Sequence, residues 1–116
     1  MAAAWIFRIP GLPEQYKLQD VYEELQGGSW QLWLMMDDRI YGVLLTTIID
    51  YPLSRELTLK GIAGDRMSEW IKFISTIENY ARINGCSKVV TAAARKGWSV
   101  FLPDYTSDKV VLEKKL

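Results

Sequence analysis

The sequence predicts an α+β protein in which helices pack on a mixed β-sheet, in the order β-α-β-β-β-α-β-α-β. Three observations carry that expectation. Residues 57–90 read as strand, glycine turn, long amphipathic helix and second strand, a crossover that puts two parallel strands into one sheet. Ahead of this unit, two apolar runs at 30–36 and 40–49 flank the short polar stretch Asp37-Asp38-Arg39, as a hairpin does. Finally, 116 residues with 49% hydrophobic content suit one domain, 1–116, with a single core.

In chain order, Trp5, Ile6, Phe7, Arg8 and Ile9 read as a short first strand that ends at the loop Pro10-Gly11-Leu12-Pro13. A helix follows, with Leu18, Val21, Tyr22 and Leu25 on one face, Gln19, Asp20, Glu23 and Glu24 opposite, and Gly27-Gly28 as its stop. Residues 30–36 are mostly apolar, so this strand is expected to be buried on part of both faces. In the next strand, 40–49, Gly42 marks a bulge or a close backbone approach. The chain turns at 50–55, and residues 56–60 then complete an antiparallel meander.

The crossover begins where the alternation of Leu57-Thr58-Leu59-Lys60 breaks at Gly61-Ile62-Ala63-Gly64, read as a loop. From Met67 onward Trp70, Ile71, Ile74, Ile77, Tyr80 and Ala81 recur three or four apart, which turns them inward and leaves Lys72, Glu78 and Arg82 to water. Asn84-Gly85 stops the helix and the next strand starts near Cys86. A short helix carrying Trp98, Phe101 and Leu102 and a charged strand over 109–116 are expected to close the chain.

Charge and residue types exclude several functions. Fourteen basic and fourteen acidic residues leave no net charge to draw nucleic acid or an anionic membrane. No run is apolar and long enough to be a signal peptide or to span a bilayer, so the expected location is the cytoplasm. The single cysteine, Cys86, suits a reducing compartment. No histidine is present, which rules out Ser-His-Asp chemistry, an imidazole-activated cysteine and the commonest zinc sites. Asp37-Asp38 alone is thin evidence for a hard cation, and no metal site is expected.

The order of elements resembles the GNAT superfamily of N-acetyltransferases, as do three local strings: Asp37-Asp38 leading to Tyr41-Gly42-Val43, the helix end Tyr80-Ala81-Arg82-Ile83-Asn84-Gly85-Cys86, and the closing Val111-Leu112-Glu113-Lys114-Lys115-Leu116. Asn84-Gly85-Cys86 followed by Arg95-Lys96-Gly97-Trp98 looks most like the small GNAT-like proteins of tailed phages and prophages. That resemblance implies the host cytoplasm, or incorporation in a virion. It also implies an acetyl-CoA site with the pattern Arg/Gln-x-x-Gly-x-Gly/Ala between the central strand and the long helix, where backbone N–H groups hold the pyrophosphate. Thr58-Leu59-Lys60-Gly61-Ile62-Ala63 keeps Gly-x-Ala but has Thr in place of Arg or Gln.

If CoA binds, Lys60, Gly61, Ala63, Gly64 and Arg66 are its expected contacts, with Asp65 opposing the phosphates. In the simpler and preferred reading, Gly61 and Gly64 merely turn the chain and Asp65 caps the helix. The family's tyrosine acid falls on Val100 or Phe101, neither of which donates a proton. Glu56 is a weak candidate for a base, the alternative being a solvated pair with Arg55. Tyr41 and Tyr51 are substitutes for the acid only if the fold brings them to the site.

Five tryptophans are a high load, and Trp30 and Trp33 fall on opposite faces of one strand. One of them needs a cover, either a helix of this chain or another protein. Two functions stay open. One is a non-catalytic, protein-interaction or virion-associated module with a degenerate acetyl-CoA site, no cofactor and a phage or host protein as partner. The other is an acetyl-CoA-dependent N-acetyltransferase that works by direct attack of the amine.

Overall fold

A computed structural model describes Ile6, Arg8, Ile9, residues 12–65, Glu69, residues 71–91, Tyr105, Lys114 and Lys115. Its elements are α1 (Leu12–Gln15), α2 (Leu18–Gln26), β1 (Trp30–Met36), β2 (Ile40–Tyr51), β3 (Ser54–Gly64), α3 (Ile71–Ile83) and β4 (Lys88–Thr91). The sheet order is β1-β2-β3-β4; β1–β2 and β2–β3 are antiparallel, and β3–β4 is the parallel pair that the crossover requires. The expected α+β mixed sheet is therefore the observed one. Among the described residues no helix is long and apolar enough to cross a membrane.

Local chemistry sets the boundaries. The backbone N–H of Lys17 donates to the Asp20 carboxylate at 2.9 Å, which anchors the first turn of α2, and Gly28 takes up a left-handed φ of 81° just past its end. Gly85 does the same for α3 with φ 77°, while the Asn84 side-chain amide donates to the Tyr80 carbonyl at 2.8 Å. In the β1–β2 turn the Arg39 N–H donates to the Asp37 carboxylate at 3.2 Å.

Two hydrophobic layers lie on opposite faces of the sheet. One joins Ile6, Ile9, Leu12 and Val21 to Trp30, Val43, Leu45 and Ala63. The other joins Ile77 and Ala81 of α3 to Met35, Tyr41, Leu44, Leu57 and Leu59. Two bulges adjust which residues face which layer. The β1–β2 register passes from Met35↔Gly42 to Met36↔Ile40 and leaves Tyr41 over, beside the glycine that predicted a bulge. In β3 the register passes from Thr46↔Leu59 to Leu45↔Gly61, leaving Lys60 over. Before Lys60, Leu57 and Leu59 point to α3; after it, Ile62 does, and Ala63 points to the Ile9 layer.

Several expectations change. The first strand is absent at Ile6, which is helical, and at Arg8 and Ile9, which lie in turns. Hydrogen bonds from Ile9 N–H to the Ile6 carbonyl (3.1 Å) and from Leu12 N–H to the Ile9 carbonyl (3.2 Å) make this a turning segment. Its apolar residues recur every third position, so they share one side of the turns and bury together. Residues 61–64 are strand and not loop, because their backbone continues the ladder with β2 to Gly42↔Gly64. On α3 the fully buried residues are Ile77 and Ala81, whereas Ile74 is half-buried. Lys72 and Arg82 are exposed as expected, but Glu78 is half-buried and accepts a hydrogen bond from the Tyr105 hydroxyl at 3.0 Å. Met67, Trp70, Trp98, Phe101, Leu102, residues 109–113 and Leu116 lie outside the described residues; of the expected closing strand 109–116, Lys114 and Lys115 are described and are not in a strand.

Candidate functional site

In an open sheet with parallel strands, ligands favour the crevice beyond the carboxyl ends of those strands. Here that end is the exit of β3 into α3, where Lys60, Gly61, Ala63, Gly64 and Arg66 are the expected contacts if CoA binds. Lys60, Gly61, Ala63 and Gly64 all belong to β3, and Arg66 lies outside the described residues. Gly61 faces away from α3, and a Cβ built on it would overlap the Ile9 side chain. The glycine is thus required by packing, since the Ile6–Leu12 turns press directly on the strand backbone at this point. The space that would let a phosphate approach the Gly61 backbone on that face is filled by an isoleucine.

Lys60, the bulged residue, is committed elsewhere. Its ammonium lies over the Trp30 ring, 4.6 Å from the centroid, and 5.8 Å from the Tyr16 centroid. The two rings meet edge-on, with centroids 4.9 Å apart and planes at 83°. An ammonium against an aromatic face is held electrostatically, at about 0.5–1 kcal/mol where water still reaches it. Lys60 and Trp30, placed by the sequence in different candidate sites, therefore meet in one cluster. No short-range pattern signals this contact, because thirty positions separate the two residues.

The junction itself carries acid. Asp65 pairs with Arg8 at 3.6 Å across an exposed surface, and its N–H donates to the Tyr41 carbonyl at 2.8 Å. Glu69 follows just before α3, and no glycine occurs anywhere in 65–70. Carboxylates are favoured at the positive end of a helix, the place a pyrophosphate would need.

The catalytic candidates are spread along the strands. Glu56 lies near the start of β3, level with Lys88, about 17 Å from Gly61 at about 3.4 Å per residue. Its carboxylate is buried and pairs with Lys88 Nζ at 3.6 Å, so the neighbour is Lys88 and not Arg55. Arg55 instead grips Asp50 with two nitrogens and donates to the Asn84 carbonyl at 2.8 Å, tying the β2–β3 hairpin to the end of α3; the Asp50 hydrogen bond raises the guanidinium further above its ordinary range. Tyr41 reaches the junction end of the sheet, while Tyr51 sits at the other end of β2, opposite Ser54. Val100 and Phe101 lie outside the described residues.

Tyr105 is a phenol that the sequence left unassigned. Burial, and then its hydrogen bond to Glu78, push its titration well above the usual tyrosine range. Burial also raises the Cys86 thiol, with the Arg55 charge opposing it, which suits a structural thiol better than a nucleophile. Among the described residues no three His, Cys, Asp or Glu side chains gather as a metal site requires.

Both candidate interface tryptophans make contacts within the chain, and Trp33 stays half-buried. Trp30 is buried beneath Tyr16 and Lys60. Trp33, on the opposite face, meets Tyr80 edge-on at 5.1 Å and donates its indole N–H to the Thr46 hydroxyl at 3.0 Å; that hydroxyl donates in turn to Gln31 at 2.9 Å.

The sequence matches no protein-family model and no curated protein. Solved structures do match its architecture. A GNAT family acetyltransferase of Staphylococcus aureus superposes with a TM-score of 0.63 at 11% identity, over 87% of this chain and 78% of that one. The fold is that of the GNAT acetyltransferases. Two further matches are glucosamine-6-phosphate N-acetyltransferase of Arabidopsis thaliana (TM-score 0.65, 13% identity, 85% of this chain and 76% of that one) and a tetramutant of a Bacillus halodurans protein (0.72, 13%, 91% and 78%). At these identities it is the GNAT scaffold that is shared.

Proposed function

We propose that this chain uses the GNAT scaffold as a protein-binding module without an acetyl-CoA site at the β3–α3 junction. Gly61 carries the reading: the one described glycine that a phosphate cradle would most need is occupied on its open side by Ile9. Asp65 and Glu69, with no glycine between them, add charge of the wrong sign for a diphosphate. Glu56 is paired with Lys88 at the far end of the strand, away from any such groove. The partner is another protein, of a phage or of its host, met in the host cytoplasm or in a virion, as the phage-type resemblance implies. A second reading has support in the solved acetyltransferases that share the fold: transfer of an acetyl group from acetyl-CoA to an amine by direct attack, with positioning supplying much of the rate.

Thermal melts with acetyl-CoA separate the two. A ligand present at a hundred times its dissociation constant adds about 2.7 kcal/mol of stability, a shift that is easily measured. The module reading expects an unchanged melting temperature at millimolar acetyl-CoA and no heat in a calorimetric titration with acetyl-CoA or free CoA. A saturable shift abolished by Gly64→Asp would locate CoA at the junction and replace the module by the enzyme.

A further inference from the structure

We draw no further inference here: the strongest candidate, the exposed apolar surface patch of Tyr51 and Leu53 at the tip of the β2–β3 hairpin, carries none, because nothing in the structure shows what covers it.

Discussion

The two faces of the sheet are built in opposite ways. Toward α3, large side chains project from both partners, with Leu44, Leu57 and Leu59 of the strands meeting Ile77 of the helix. Toward the Ile6–Leu12 turns, part of the strand surface consists of what is missing, since Gly61 has no side chain and Ile9 takes its place. One face therefore depends on bulk and the other on its absence. The same strand, β3, serves both.

That contrast fixes which substitutions are damaging. Ile77→Ala removes a buried side chain from the α3 face and should cost about 2–5 kcal/mol in urea denaturation, with half-buried Ile74→Ala clearly less. Equal losses at the two positions would mean that α3 presents a different stripe to the sheet.

The opposite face should fail through addition. Gly61→Val drives a branched side chain into Ile9 and should cost about 1–3 kcal/mol, typical of overpacking. Ile9→Ala alone is also destabilising, but the double variant should recover part of the sum, a coupling that equilibrium melts of the four proteins would reveal. Strict additivity would show that the two residues do not touch.

The smallest effects belong to the tryptophans, which have nearly the same edge-on geometry on the two faces but different polar partners. Trp33→Phe should cost about 1–2 kcal/mol, since it strips the indole donor from a fully buried Thr46. Lys60→Gln, which removes the cation over Trp30, should cost about 0.5–1 kcal/mol. A reversed ranking in thermal melts would move the stronger polar anchor to the Trp30 face.

Much of this fold could be read from the sequence wherever the information is local. Helix α2, the strand Trp30–Met36, the hairpin at 37–39 and the parallel crossover follow from periodicity and turn residues at short range. The opposite facing of Trp30 and Trp33 was legible for the same reason. The end of β3 was misread because Gly61 and Gly64 look alike whether a glycine permits a turn or permits contact; the contact needs Ile9, fifty-two positions away. The Ile6–Ile9–Leu12 spacing held a local signal for turns, masked by aromatic and branched residues that suit a strand. At the candidate site, Lys60 over Trp30, Lys88 against Glu56 and Tyr105 on Glu78 are tertiary pairings for which charge and size at single positions give no address.

The extra residue in β3 has a consequence for comparing this strand with any other. Side chains along a strand have a parity, odd positions on one side and even on the other, and Lys60 reverses it partway. An alignment that sets residues 54–64 against an unbulged strand would assign Ile62 to the Ile9 layer and turn Gly61 and Ala63 toward α3. It would place a gap under the helix and a clash under the turns. The glycine is needed at position 61 only because the count is offset at position 60, so the two residues act as a single structural unit. Losing either one alone leaves the other in the wrong place.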